Sequence, residues 1–232
     1  MKILVACEES QTVCAAFRRA GHEAYSADIL EPSGGHPEWH ILGDVTPLLN
    51  GKCVFKTMDG TEHILLTKWD MIIAHPPCTY LSNVCNRAFS LRMSEPEKVV
   101  QRWEERSRAI IFFMQIAGAD CEKIAIENPL GFMSNWRKPD QIVHPYYFAD
   151  SPDDVENYHK KRTCFWLKGL PKLKRTKELP PPPPVYICEG KLSKGNEINW
   201  SEGMRGVPVS ERAKARSKTF PGIAEAMVKA WG

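Results

Sequence analysis

The chain alternates short apolar runs with longer segments in which apolar residues recur every three or four positions. The first run, residues 2–7, is followed by a polar turn and by a segment of helical period that ends at Gly21. Residues 23–27 and 123–126 predict two further short strands, and the apolar run at residues 69–74 is typical of a strand buried on both faces of a parallel sheet. This order predicts an α/β fold, with a mostly parallel sheet and helices on both of its faces.

Further elements are predicted between and after these strands. A third strand is expected to end near Asp44, and residues 50–68 predict an inserted hairpin. Ser94 and Glu97 have the spacing of a capping box at the start of a long helix. We expect that helix to bury an apolar stripe on the sheet, formed by Val99, Val100, Trp103, Ile110, Phe113 and Met114.

The composition of the chain changes after Pro171. Residues 163–167 predict one more strand and residues 223–231 a closing helix, but the chain between them is basic and contains five consecutive prolines at 180–184. Polyproline is extended and stiff, so we expect a spacer there. The predicted organisation is one domain over residues 1–170 and 205–232, with a basic, proline-rich insertion over residues 171–204.

Length and composition are typical of one globular domain. The chain has 232 residues, 43% hydrophobic and 25% charged, so a packed core is expected and a wholly disordered chain is excluded. Its longest apolar stretch, residues 109–119, is far shorter than the roughly 20 residues that a membrane-spanning helix needs. The first residues lack the features of a secretory signal, and we expect a cytoplasmic protein.

Charge is unevenly distributed along the chain. Residues 1–159 carry a net charge of −7, whereas residues 160–218 carry +10. A basic segment favours a polyanionic partner through phosphate contacts, although an ordinary solvated surface has the same pattern. The eight cysteines form no C-x-x-C pair, and His36, His40 and His75 match no common zinc spacing. We therefore expect reduced thiols and no metal site.

Polar residues follow the predicted strands, at the points where ligands bind in an open parallel sheet. Asp28 follows the second strand and Asp44 the third. In these positions one carboxylate can hold ribose hydroxyls, and the other can accept a hydrogen bond from an adenine amino group. Together with the polar turn after the first strand, they suggest a cofactor that contains adenosine.

Cys78 is the candidate nucleophile. It follows Pro76 and Pro77 at the end of a buried strand, where we expect its sulfur to face the crevice rather than the core. The thiolate is the reactive form, and it needs a lowered pKa or a nearby proton acceptor. Glu127, at the end of the next strand, can hydrogen-bond to or protonate a ring held above the thiol.

In this order, the residues resemble the DNA (cytosine-5)-methyltransferase family. Pro77-Cys78 ends one strand, Glu127-Asn128 ends the next, and Lys160-x-Arg162 enters a further one. The sequence His-Pro-Pro-Cys-Thr-Tyr-Leu at residues 75–81 is similar to that of short methylase-like proteins of bacteriophages and prophages. The resemblance runs almost from end to end. It implies a Rossmann-like methyltransferase fold with a minimal or absent target-recognition domain.

The same resemblance implies an enzyme that uses S-adenosylmethionine to methylate carbon 5 of cytosine in DNA. Cys78 would add to carbon 6 of the ring, Glu127 would contact the ring nitrogen and exocyclic amine, and Arg162 would steady the adduct. In a duplex the target base would have to be flipped out of the stack. The residues implied to bind the cofactor are Cys7, Glu8, Ser10, Asp28, Asp44, Pro76 and Thr219.

The chain departs from the family in two respects. The family's first motif is rich in glycine, whereas residues 7–12 contain none, and we expect a Ser10 N-cap and the amides of the first helix to substitute. The segment available for target recognition is short and basic, which predicts low sequence specificity and contacts to the phosphates of double- or single-stranded DNA. The residues expected to make these contacts are Lys160, Lys161, Lys172, Lys174 and Arg175.

Other functions are compatible with the sequence. A non-catalytic nucleic-acid-binding or regulatory protein could use a methyltransferase scaffold, since fold alone does not determine activity. The same thiolate addition could transfer another one-carbon group to a pyrimidine nucleotide. His75 stands where amino-methylating relatives have Asn or Asp, which favours an exocyclic-amine methylase, but that chemistry does not need Cys78. The expected location is the cytoplasm of a bacterial host or phage-infected cell.

Overall fold

The computed structural model describes residues 1–184, 186–187, 195, 197–198 and 219–232. Most of the predicted insertion after residue 184 lies outside these described residues, as does Cys188. The helices are α1 Thr12–Arg19, α2 Pro96–Ala117 and α3 Pro221–Trp231. The strands are β1 Lys2–Ala6, β2 Glu23–Asp28, β3 His40–Leu42, β4 Cys53–Lys56, β5 Glu62–Leu65, β6 Met71–Ala74, β7 Ile124–Asn128, β8 Gln141–Val143, β9 Thr163–Lys168, β10 Tyr186–Ile187 and β11 Glu197–Ile198.

Seven of these strands form one sheet, in the order β3-β2-β1-β6-β7-β9-β8. The strands from β3 to β7 in that order are parallel, and β9 runs antiparallel to both of its neighbours. The carboxyl ends of the parallel strands therefore lie at one edge, and the start of β9 joins them there. The predicted α/β fold with a mostly parallel sheet is confirmed.

The strand register brings two of the predicted site residues together. Ala74 of β6 pairs with Ala6 of β1 on one side and with Ile126 of β7 on the other. The next residue of β6, His75, therefore emerges beside Glu127. Because the strands end at the same level, the loops that follow them share one crevice.

Alternate residues of the strands face two helical layers. Ile3 and Val5 of β1 pack with α1 and α3, whereas Leu4 and Ala6 pack with α2 on the opposite face. Helices thus cover both faces of the sheet, as predicted. Full burial of one such aliphatic side chain contributes about 1.5–3 kcal/mol. The predicted hairpin is also confirmed: β4 pairs with β5, and its Phe55 packs in the cluster on the α2 side.

Neither predicted helix cap is observed. Gln11 rather than Ser10 is the N-cap of α1, and Glu95 rather than Ser94 is the N-cap of α2. Neither N-cap side chain hydrogen-bonds to its helix. The buried carboxylate of Glu8 instead accepts hydrogen bonds from the first turn of α1. In α2, a proline in the first turn leaves one amide fewer to satisfy.

The apolar stripe predicted on α2 is only partly buried. Val99 and Phe113 belong to the core. The prediction was wrong for three residues because the sheet covers one side of the helix only, while the apolar residues continue around to a second side. The exposed ones are Val100, Trp103 and Met114, at 59%, 45% and 38%.

The first part of the predicted insertion is attached to the sheet domain. Leu173 is buried, and its backbone N–H and C=O exchange hydrogen bonds of 2.8 and 2.7 Å with the side chain of Gln141. The Tyr158 hydroxyl donates to the carbonyl of Pro180 at 2.9 Å. Further on, β10 and β11 pair in a separate two-stranded sheet. In the described parts of the chain, no helix combines the length and apolar character needed to cross a membrane.

Candidate functional site

The turn after β1 has a left-handed backbone at both ends although it contains no glycine. Cys7 has a φ of 59° and Gln11 a φ of 58°, in the region that glycine adopts most readily. The Cys7 N–H donates to the carbonyl of Ala27 at 2.7 Å, which ties the turn to β2. Contacts with surrounding residues therefore stabilise a left-handed backbone conformation that glycine usually adopts.

Gln11 is buried and links this turn to the loop after β2. Its side-chain amide donates to the Ser26 hydroxyl at 3.2 Å and to the His36 carbonyl at 2.8 Å, and its Oε1 accepts from the His36 N–H at 3.0 Å. Gly34 approaches closely, since a Cβ there would lie 2.6 Å from the Cβ of Gln11. The close approach of the two segments therefore requires a glycine in the loop after β2, at Gly34, rather than in the turn after β1. Gln11 was not among the residues that the sequence pattern singled out.

Glu8 and Ser10 shape the turn from within. The Glu8 carboxylate accepts hydrogen bonds from the N–H groups of Val13 at 2.6 Å and Cys14 at 3.1 Å. Burial raises the pKa of Glu8, although these two N–H groups oppose the shift. The Ser10 hydroxyl accepts from the Thr12 hydroxyl at 3.1 Å. Both side chains are thus engaged inside the turn, and the turn offers a ligand its backbone rather than these two groups.

Cys7, Asp28 and Asp44 come together where β1, β2 and β3 end. The pKa of Cys7 is raised to about 12, first by burial and then by the charges of the two aspartates. Asp28 accepts from the Leu30 N–H at 2.9 Å, and burial raises its pKa. Asp44 accepts from the N–H and the hydroxyl of Thr46 at 2.9 and 2.8 Å. These local hydrogen bonds fix the orientation of both carboxylates.

His75 links Glu127 to the closing segment of the chain. Its Nδ1 lies 3.3 Å from Oε2 of Glu127 and 3.5 Å from Oγ1 of Thr219. Burial alone would raise the pKa of Glu127, but the hydrogen bond from His75 and the charge of Lys161 outweigh it and lower that pKa. Glu127 is therefore ionised near neutral pH, and Nδ1 donates to it. The other ring nitrogen, Nε2, is buried and has no hydrogen-bond partner among the described residues.

Cys78 is exposed, on a loop whose base is fixed. The Asn128 side chain donates to the carbonyl of Pro76 at 2.8 Å and so holds the two prolines against the end of β7. The carbonyl of Cys78 accepts from the Leu81 N–H at 3.1 Å, which begins a tight turn. The accessible thiol of Cys78 contrasts with that of Cys164, whose pKa burial raises to about 11.

Arg106 of α2 holds the loop that follows Cys78. It is buried, and its guanidinium donates to the Tyr80 carbonyl and the Asn86 side chain, both at 2.8 Å. The same group lies 3.6 Å from the centroid of the Phe89 ring. Sequence analysis missed this residue, although a charged residue at a core-facing position of an apolar helix was a usable signal.

Gly131 joins the loop after β7 to the loop after β6. A Cβ at this position would overlap the Leu81 carbonyl oxygen, so only glycine fits. The Phe132 N–H donates to the same oxygen at 2.7 Å, and Ser82 forms an isolated bridge with Gly131. These contacts join the two loops, and they connect the segment after Glu127 to the loop that carries Cys78.

Lys161, one of the predicted nucleic-acid contacts, lies at the site itself. Its Nζ is 5.4 Å from the centroid of the Phe220 ring, and its charge helps to lower the pKa of Glu127. The Phe220 segment is in turn anchored through Gly222, whose N–H donates to the Asn157 side chain at 2.7 Å. The end of the chain thus closes over Glu127.

A basic surface lies beside the start of β9. Burial, and after it the charges of Arg162, Lys160 and Arg175, lower the pKa of His144 to about 4. The guanidinium of Arg175 lies 3.6 Å from the centroid of the Tyr147 ring. The other two predicted phosphate contacts, both exposed, are Lys172 and Lys174.

A separate cavity of about 260 Å³ lies on the α2 face, lined in part by Trp136, Trp166 and Lys168. It contains none of the predicted site residues. Cys7, Glu8, Asp28 and Glu127, whose pKa values are shifted, lie instead in the crevice at the strand ends, where functional groups are expected. Within the described residues, no group of three or more His, Cys, Asp or Glu side chains could hold a metal ion.

No family model matches this chain, and no curated protein matches it either. The function must therefore be argued from the site geometry and from the motifs themselves.

Proposed function

We propose that this protein transfers a methyl group from S-adenosylmethionine to carbon 5 of cytosine in DNA. The observation that carries the proposal is the exposed thiol of Cys78, on a loop that Asn128 anchors to the end of β7, the strand that also carries the ionised Glu127. Carbon 5 of a pyrimidine is a poor nucleophile until a thiolate adds at carbon 6. The resulting adduct also needs a group that holds the ring nitrogen and amine.

Cys78 is the nucleophile in this proposal. Its sulfur bonds to carbon 6, and the electron pair of the 5,6 double bond becomes available at carbon 5. Once carbon 5 carries the methyl group, loss of its proton and of the carbon–sulfur bond restores the ring and the thiolate. Arg162 directly precedes β9, whose Cys164 pairs with Asn128 of β7, and in this proposal its cation steadies the adduct.

Glu127 favours cytosine over uracil and thymine. An ionised carboxylate accepts a hydrogen bond from the exocyclic amine of cytosine, whereas the other two bases have a carbonyl there. Nδ1 of His75 lies 3.3 Å from Oε2 of Glu127 and, by donating a hydrogen bond to it, fixes the orientation of the carboxylate that contacts the base.

The turn after β1 fits the cofactor. Its left-handed ends supply the backbone shape of a glycine-rich turn, and the buried Nε2 of His75 is an acceptor without a protein partner in the described part of the chain. Residues 7–11 would hold the methionine moiety, Asp28 the ribose and Asp44 the adenine, with Thr219 closing the pocket. S-adenosylmethionine, when bound, supplies the methyl group.

DNA would be held mainly through its phosphates. The cations around His144 and the exposed Lys172 and Lys174 form a basic surface next to the crevice. Contacts of this kind position a duplex or single strand without reading its sequence. This supports low sequence specificity.

Transfer of labelled methyl groups to mixed double- and single-stranded DNA tests the proposal. Wild type and Cys85→Ser should both yield 5-methylcytosine after digestion to nucleosides, whereas Cys78→Ser should yield none. Cys85 lies in the same loop and is half-buried, so it is a matched control. Label in the Cys78→Ser product, or label on the exocyclic amine, would contradict the proposal. Calorimetry with S-adenosylmethionine should show binding that Asp28→Ala loses.

A further inference from the structure

Helix α2 has a second apolar side that the rest of the described chain leaves exposed. Val100, Trp103, Ile111 and Met114 are 59%, 45%, 58% and 38% exposed, although Phe113 and Ile116 of the same helix are buried on the sheet. A surface helix that packs on one core normally has one apolar stripe and one polar face. A second stripe indicates a contact with another chain.

The spacing of this stripe is symmetric about Ser107. Trp103 and Ile111 lie four residues before and after it, and Val100 and Met114 lie seven residues before and after it. With a rise of about 1.5 Å per residue, the two pairs stand roughly 6 and 10 Å from the centre. A two-fold axis across the helix at Ser107 therefore superposes each position of the stripe on another.

We infer that α2 forms an antiparallel pair with α2 of a second copy of this chain. In that arrangement Trp103 packs on the partner's Ile111, and Val100 packs on the partner's Met114. The small side chain of Ser107 lies at the crossing point, where two helices approach to about 8–10 Å. A two-fold symmetric contact uses the same surface on both copies, so that surface must be complementary to itself. The stripe on α2 meets this condition.

The central aromatic residue is already held in place. The ring of Trp103 meets the Phe89 ring at a centroid distance of 5.1 Å and an angle of 70°, and the Arg106 guanidinium lies 5.1 Å from it. A side chain fixed in the free protein loses little conformational freedom on association. Trp103 is therefore suited to anchor the interface.

The charges beside the stripe favour the antiparallel direction. Glu104 and Arg108 lie on the polar flank, and Arg108 also binds Glu105 within the helix at 2.8 Å. In an antiparallel pair, Glu104 of each copy lies near the partner's Arg108, so opposite charges meet twice. In a parallel pair, the flanks that carry Glu104 and Arg108 lie on opposite sides of the interface in the two copies, so these contacts between opposite charges do not form.

Sedimentation equilibrium tests the association. Wild type at about 20 µM should sediment at twice the chain mass of 26.3 kDa. Trp103→Glu should raise the dissociation constant by at least about 30-fold. Leu66→Glu is the control, since Leu66 is 81% exposed and outside the stripe. A monomeric wild type, or a dimer that Trp103→Glu leaves intact, would overturn the inference.

Disulfide trapping tests the position of the two-fold axis without disturbing the apolar contact. Under mild oxidation Ser107→Cys should form a covalent dimer well above the wild-type background, and Gln115→Cys, about 80° around the helix, should not. Equal cross-linking of the two variants would refute the antiparallel pair.

Glu104→Arg and Arg108→Glu should each weaken the dimer, and the double variant should restore it. A double variant that fails to restore the dimer would likewise contradict the antiparallel pair. None of these readouts requires methyl transfer.

Discussion

Nδ1 of His75 lies 3.3 Å from Oε2 of Glu127, across the boundary between β6 and β7. The side chains are only 7% and 15% exposed, so this is a buried hydrogen bond rather than a surface contact. It follows from strand register, because Ala74 pairs with Ile126 and the next residues emerge together. The hydrogen bond explains why a buried carboxylate stays ionised.

The His75–Glu127 contact predicts a pH-dependent contribution to stability. The pKa of Glu127 is lower in the folded protein than its ordinary value of 4.5, so the ionised form favours folding. The stabilisation is therefore complete above about pH 4.5 and is lost as the pH falls through the lowered folded value. Glu127→Gln should cost about 1–2 kcal/mol near pH 7, by urea unfolding, and less as the medium becomes more acidic.

The exposed Glu122→Gln is the control for this experiment, and it should change stability little at any pH. A Glu127→Gln deficit that stays constant between about pH 3.5 and 7 would contradict the assignment of an ionised Glu127.

The cysteines should differ strongly in reactivity. Cys78 is exposed, whereas burial raises the pKa of Cys164 to about 11 and that of Cys7 to about 12. At about pH 8 only roughly one in a thousand Cys164 side chains would be thiolate. Brief iodoacetamide treatment followed by peptide mass mapping should therefore find Cys78 modified well before either of them. Earlier modification of Cys7 or Cys164 would show that the described packing is wrong.

The sequence predicted an element correctly where its apolar residues form a clear pattern. The run at residues 69–74 and the helix after Glu95 have unambiguous apolar patterns, and both were found. Strand β8 was missed because three residues, Gln141–Val143, carry no periodic signal of their own and pair only because β9 lies beside them. Exposure of Trp103 was missed for a similar reason, since periodicity does not say how much of a helix the sheet covers.

The sequence pattern singled out polar residues at the strand ends but not the residues that support them. Cys78 and Glu127 stand at strand ends, where sequence alone indicates chemistry. Gln11 and Gly131 act through contacts with segments that are distant in the chain, so local pattern has no means to identify them. The left-handed backbone at Cys7 and Gln11 was not predictable either, because tertiary contacts hold a conformation that local preference disfavours.

The left-handed backbone at Cys7 predicts a sharp difference between two substitutions. Cys7→Gly should keep the turn, since glycine adopts a φ of 59° without strain. Cys7→Val should cost about 1–3 kcal/mol more, because a β-branched residue disfavours this region. Calorimetry with S-adenosylmethionine should then show binding to the glycine variant and weakened binding to the valine variant. Equal binding by both would mean that the turn does not shape the cofactor site.

The contact between Gly131 and Leu81 predicts that a single methyl group is enough to separate two loops. In Gly131→Ala the new Cβ would overlap the Leu81 carbonyl oxygen, so the backbone must shift, and we expect a loss of about 2–4 kcal/mol. Gly118→Ala is the matched control, since its φ is −91° and its Cβ would meet the Met114 carbonyl oxygen at 3.2 Å. Thermal unfolding should rank wild type and Gly118→Ala well above Gly131→Ala. Equal melting temperatures would show that the loops are not joined at this point.

The hydrogen bonds of Arg106 predict that substituting this residue of α2 will loosen the loop after Cys78. Arg106→Met keeps the apolar stem but leaves the Tyr80 carbonyl and the Asn86 side chain without their donor, at a cost of about 2–3 kcal/mol. Arg106→Lys should fall between wild type and the methionine variant, because an ammonium cannot reproduce the guanidinium fork. The readout is the alkylation rate of Cys85, whose sulfur accepts from Arg106 at 3.3 Å and donates to the Ser82 carbonyl. That rate should rise in the order wild type, lysine, methionine, while the rate at the distant Cys53 stays constant. An unchanged Cys85 rate in Arg106→Met would show that the loop keeps its conformation without the arginine.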